Sequence, residues 1–255
     1  MKRLLCVLAA MTLLISGAAA QSEPEDSSLL GVVYFPRGAT EESASFAFRY
    51  RLPQLAADRP QAEAFNGYFA SYAADIVETL IPATLATLGE LPAPGEPEYY
   101  VNLDYRVASR TADQQSVLLI SQQFFGNTLV EQWVSVVFAL SGIYAGQPIT
   151  LSQAMGLEEG SGSQTGDTAS ELVYGLVWQI IQYDIGSMKT AYFPDLTEDE
   201  FRLAFSPQDD FYFDTDGNFV FFIQAGTIAG EVEGVLQFPF SLGELLSGNS
   251  ENQSE

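Results

Sequence analysis

Two aromatic runs on either side of an Asp-Gly turn constrain this chain more than any other feature. Phe211-Tyr212-Phe213 and Phe219-Val220-Phe221-Phe222-Ile223 flank Asp214-Thr215-Asp216-Gly217-Asn218. Aromatic and β-branched side chains fit a pleated, half-buried surface, and Asp-Gly tolerates the positive φ of a tight reversal. The stretch therefore predicts a β-hairpin. A third extended run, Val235–Phe240, follows a glycine-punctuated connection, and Ser241–Leu246 predicts a short closing helix. The turn also places oxygen side chains at alternate positions, as a calcium loop does. Glycine falls at the fourth position, however, and Ala225 stands where the closing glutamate belongs, so the spacing favours a plain turn. Glu231 and Glu233, across the neighbouring loop, are the acids available to complete a weak site there.

The first twenty residues predict a compartment. Lys2 and Arg3 precede an apolar core, Leu4 to Ile15, and Ala18-Ala19-Ala20 ends it with small residues, the anatomy of a secretory signal peptide. The core is short for a membrane span, and no later stretch is long and apolar enough to be one. The single cysteine, Cys6, lies inside this leader, so the exported chain has no disulfide and must rely on core burial. About 235 residues remain after cleavage, enough for one large core or two tight lobes.

Ten basic residues stand against 33 acidic ones, a net charge of −23. Such a field repels nucleic acid and anionic lipid surfaces, attracts cationic proteins and divalent cations, and keeps an exported chain soluble. Histidine is absent. That removes Ser-His-Asp and Cys-His catalysis and the usual zinc and haem ligand sets, leaving carboxylate pairs, tyrosine or lysine as catalytic options.

Read in order, residues 21–28 are a polar spacer and residues 29–157 a β-rich half with one long helix. Leu29–Pro36 predicts a buried strand. Ser43–Leu52 alternates, with Phe46, Phe48, Tyr50 and Leu52 on one face and Arg49 and Arg51 on the other. A helix follows from Asp58 as cap and Pro60 in the first turn, with Phe65, Phe69, Tyr72, Ile76 and Leu80 at helical spacing and Pro82 as a bend. Tyr99–Arg110 predicts a strand with Val101, Leu103, Tyr105 and Val107 on one face and Asn102, Asp104, Arg106 and Arg110 on the other. Val117–Phe125 and Leu129–Leu140 predict a hairpin at the centre of a sheet. Residues 158–168 read as a flexible loop, and residues 169–246 as a second half led by an apolar helix over Ser170–Lys189. The composition of residues 247–255 predicts a polar, disordered tail. The order of elements predicts an α+β fold: a mostly antiparallel sheet with two main helices on it, then the hairpin, strand and short helix.

Three groups of residues are candidates for chemistry. Arg49, Arg51 and Arg106 concentrate scarce positive charge on polar strand faces, where they would grip a carboxylate or phosphate or pair with acids such as Asp104. Glu198, Asp199, Glu200, Asp209 and Asp210 supply the carboxylates a glycosidase needs, although helix starts and loops favour acids anyway. Tyr144, Tyr192, Phe193 and Tyr212 would line a sugar or peptide surface or pack in the core.

The terminal stretch FYFDTDGNFVFFIQAGTIAGEVEGVLQFPFSLGEL resembles the outer domain of the RsiV anti-sigma factor and the segment before the catalytic domain of the peptidoglycan deacetylase PdaC. GIYAGQPITLSQAM is similar to that family's turn-Gly-x-x-Leu-x-x-Leu segment. VVYFPRG and EAFNGYFASYAADIV resemble the strand and the Asn-containing helix of its N-terminal half. The family's tyrosine-proline loop is replaced by IQAGTIAGEVEG, and its Gly-Gly-Ala-His element is missing. The resemblance implies an exported, envelope-associated domain outside the membrane. The resulting expectation is a non-catalytic binding domain without cofactor or metal, with a cationic protein such as lysozyme or a peptidoglycan component as partner. A carboxylate-dependent enzyme acting on cell-wall glycans and a calcium-stabilised envelope protein are the alternatives.

Overall fold

The computed structural model describes residues 27–93, 99–126, 128–157 and 165–247. The leader, the polar spacer up to residue 26, most of the 158–168 loop and the tail beyond Ser247 lie outside the described residues. Within them no helix is long and apolar enough to cross a membrane.

The fold is α+β. Strands β1 (Ser27–Phe35), β2 (Phe46–Gln54), β3 (Tyr99–Arg110), β4 (Gln114–Phe125) and β5 (Thr128–Ala139) form a five-stranded sheet in sequence order. All neighbours are antiparallel except β2 and β3. Parallel neighbours need a long crossover. It is supplied by α1 (Ala62–Asp75), a π-helical turn (Ile76–Leu80) and α2 (Ile81–Leu88), which run on without a break. The π turn sits next to Pro82: Ile81 N–H reaches back five residues to Ile76 O, so the helix widens where proline withholds its donor.

A second sheet, β6 (Phe211–Phe213), β7 (Phe219–Ile223) and β8 (Leu236–Phe240), is an antiparallel meander. Between the sheets in sequence come α3 (Leu151–Ala154), α4 (Thr165–Ser187) and α5 (Glu198–Leu203); α6 (Leu242–Ser247) closes the chain. Thr150, Thr197 and Ser241 each cap their helix reciprocally with the Gln or Glu three residues on.

The layers follow from strand alternation. Phe46, Phe48, Leu52, Val117, Leu119, Val136 and Phe138 pack against Phe65, Phe69 and Ile76 of the crossover helix. Phe211, Phe213, Phe219, Phe221, Phe238 and Phe240 pack against Val173, Val177 and Ile181 of α4 and Phe201 of α5. The intervening side chains, Tyr212, Val220 and Phe222, meet Leu118, Ile120 and Trp133 of the first sheet. The order is helix, five-stranded sheet, three-stranded sheet, helix. The FYF and FVFFI runs are apolar throughout because both faces of the small sheet are covered.

Several expectations are corrected. β1 is a half-exposed edge strand, not a buried one, since Leu30 is 69% and Val32 49% exposed. Asp58 does not cap α1: the helix starts at Ala62 behind Gln61, whose φ is 58°, with no side-chain cap. The β4–β5 hairpin closes one side of the sheet and does not occupy its centre. α4 begins at Thr165, inside the stretch read as loop. A β-bulge between Val107 and Ser109 also shifts the register of β3. A one-residue slip exchanges faces, so Arg110, opposite Gln115, leaves the face it was expected to share with Arg106.

Candidate functional site

The five-stranded sheet has a covered half and an open half on the side away from α1. The small sheet sits over β3, β4 and β5, as its contacts with Leu118, Ile120 and Trp133 show. Over β1, β2 and the start of β3 the face is open among the described residues. A concavity of about 590 Å³ lies there, with Leu30, Val32 and Tyr34 from β1, Arg49 and Arg51 from β2, and Asn102 and Asp104 from β3 in its lining.

Parallel pairing of β2 with β3 sets Arg49 opposite Asn102, and the acid two residues on meets Arg51. Arg51 Nε and Nη2 donate to Asp104 Oδ1 and Oδ2 at 2.6 and 2.9 Å, the two-pronged geometry that suits a guanidinium. The bonds to Asp104 push the Arg51 guanidinium further up. Burial pushes the Asp104 carboxyl up, but hydrogen bonds from Arg51 and from Tyr105 N–H outweigh it and hold the group below its ordinary value. Arg49 donates to Glu41 at 3.0 Å and lies 6.0 Å over the Tyr34 ring. Both pairs are half exposed, worth about 0.2–1 kcal/mol each.

Arg106 does not join them. It stacks 5.5 Å over Trp133 at the seam between the sheets, near Tyr212, whose hydroxyl burial pushes up and Arg106 pulls back. Glu231 and Glu233 lie in a 3₁₀ turn after β7. Among the described residues no group of three or more Asp, Glu or Cys gathers as a metal site. Asp214 has its oxygens engaged by its own turn: Oδ1 accepts from Asp216 N–H and Asn218 N–H, and Oδ2 from Asn218 Nδ2, each at 2.9 Å.

Four of the five acids proposed for catalysis, Glu198, Glu200, Asp209 and Asp210, are tied into local structure. Glu200 accepts from Thr197 N–H at 2.9 Å, which lowers its pKa. Glu198 and Glu171 share Arg202, at 2.9 and 2.7 Å. Asp209 Oδ2 accepts from Ser206 Oγ and Asp210 Oδ2 from Ser206 N–H, at 2.9 and 2.8 Å. Asp210 is half-buried, and loss of solvent pushes its carboxyl up to about 6 despite that bond, with Asp209 adding to the rise.

Sequence reading missed Leu30 and Val32 as surface residues. They sit within an unbroken apolar run, and only the strand order reveals which side of it is bare. Of the candidate aromatics, Tyr212 is buried between the sheets, Tyr192 packs on the α4 core and Phe193 is 42% exposed.

Among solved structures the chain is similar to two DUF3298-family proteins, members of a bacterial family of unknown function. One, from Bacteroides fragilis NCTC 9343, is 14% identical with a TM-score of 0.49, over 88% of this chain and 97% of its own. The other, from Pseudomonas aeruginosa PAO1, is 14% identical with a TM-score of 0.48, over 88% and 94%. No known family profile and no curated protein matches the sequence.

Proposed function

We propose that the chain is an exported, non-catalytic binding domain whose partner is a cationic protein of the cell-envelope environment. The observation that carries this reading is the charge of −23. A field of that size draws basic proteins in and orients their approach. Glu200 already serves a helix cap, Glu198 an ion pair with Arg202, and Asp209 and Asp210 a turn with Ser206, which favours binding over turnover. The resemblance to the RsiV outer domain favours the exported setting and makes lysozyme the natural probe.

The test is a titration with lysozyme by calorimetry at about 20 mM and about 300 mM salt, across which the screening length shortens several-fold. The expected result is association at low salt that weakens roughly tenfold or more at high salt. No heat at either salt removes the proposal.

A second reading has one observation in its favour. A carboxyl held at about 6, as in Asp210, suits a general acid acting on wall glycans. Muropeptide hydrolysis that disappears in Asp210→Ala would replace binding with catalysis.

A further inference from the structure

The two edges of the five-stranded sheet are finished differently. β5 is closed off. The Gln224 amide accepts from Trp133 N–H at 3.0 Å and donates to Trp133 O at 2.7 Å, doing the work of a neighbouring strand. Further along, Ile149 N–H donates to Val137 O at 2.8 Å, and Ala139 N–H donates to Gln147 O at 3.0 Å. Among the described residues β1 has no such cover. Its hydrogen bonds among the described residues all run inward, to β2, to Ser45 or to Tyr105.

Natural sheets protect a bare edge with charge, proline or a bulge. The sequence of β1, SSLLGVVYF, contains no charge and no proline, and its register with β2 is unbroken. The charged side chains beside it are already neutralised, Arg49 by Glu41 and Arg51 by Asp104. In a molecule of charge −23 the described part of this rim is locally neutral, which lowers the repulsion that two copies meet there. A basic partner, by contrast, is drawn to the acidic surface elsewhere.

We propose that β1 is a self-association edge, where two copies pair antiparallel about a two-fold axis through Gly31 to give a continuous ten-stranded sheet. That register uses the strand from end to end. It sets Leu30 opposite Val32 of the second copy and Val32 opposite Leu30, so the most exposed apolar side chains of the strand cover one another. On the α1 side, Tyr50 already lies across Gly31, where a Cβ would come within 2.0 Å of its ring. The axis therefore has an apolar cluster on one face and two tyrosine rings on the other. The pairing is isologous, the commonest way for identical chains to associate. It also places the two open concavities side by side. A single edge pairing buries less than the roughly 1,200 Å² at the low end of standard interfaces, which places it among weak associations, with an expected dissociation constant of about 1–100 µM.

Sedimentation equilibrium of the purified protein tests this. A monomer–dimer equilibrium in that range is expected, and it tightens as salt rises, because screening relieves repulsion between two acidic copies. Lysozyme binding moves the opposite way with salt, so failure of one proposal is distinguishable from failure of the other. Leu30→Lys and Val32→Lys alter exposed side chains, keep the circular dichroism spectrum of the parent, and are expected to weaken the dimer roughly tenfold or more. In a Cys6→Ser background, an oxidised mixture of Leu30→Cys and Val32→Cys chains is expected to give a mixed disulfide dimer in excess of either like pair, since only opposed residues come within bonding distance. A protein that stays monomeric at 200 µM (about twice the weakest expected dissociation constant) overturns the proposal. A dimer indifferent to both lysine variants, or a cross-linked product of like pairs, does so equally.

Discussion

Asp210 shows how one side chain's surroundings set a pH dependence. Its carboxyl is pushed up to about 6 by burial, from about 3.9 in an unfolded chain. The shift is opposite to that of a paired acid. The folded state binds the proton more tightly, so the contribution to stability is greatest below about pH 4, falls through the interval to about 6, and is lost above it. Asp210→Asn keeps an acceptor for Ser206 N–H and removes the charge. It is expected to raise the melting temperature at pH 8 and leave it unchanged at pH 4. An equal gain at both pH values would mean that charge is not the cause.

At the scale of elements, two amide side chains act as short pieces of strand. Asn66 of α1 accepts from Leu55 N–H at 2.7 Å and donates to Leu55 O at 2.9 Å, fixing the exit of β2. Gln224 does the same for Trp133 across the seam between the sheets. Gln224→Ala strips both partners from a half-buried backbone position and is expected to cost about 1–3 kcal/mol, measured by denaturant unfolding. Neither role was legible in the sequence, because the partners are set by tertiary placement. What was legible was local: the Asp214–Asn218 turn, the bounds of β3 and the short closing helix after Ser241. The bulge after Val107 belongs to the pairing of β3 with β4, and reading β3 alone put Arg110 on the wrong face. The candidate site was legible in part. Arg49 and Arg51 share a face by simple alternation, and Asp104 was the expected acid, but the order of strands decides that this face is bare and that Arg106 lies apart at the seam.

At the scale of the whole molecule, the four layers join two halves of the chain through noncovalent contacts at the seam. Tyr212, Val220 and Phe222 meet Leu118, Ile120 and Trp133. Phe213 N–H donates to Ser116 Oγ at 3.0 Å, and Gln208 Nε2 donates to Ser152 Oγ at 3.2 Å. Val137, Leu151 and Met155 extend the α4 core from the first half. Everything that holds residues 165–247 to residues 27–157 is noncovalent apart from the one connection at 158–164. The molecule is thus a natural candidate for fragment complementation. Chains severed in that connection and expressed together are expected to copurify as a native complex, and Phe222→Asp, which buries a charge at the seam, is expected to release them as separate pieces.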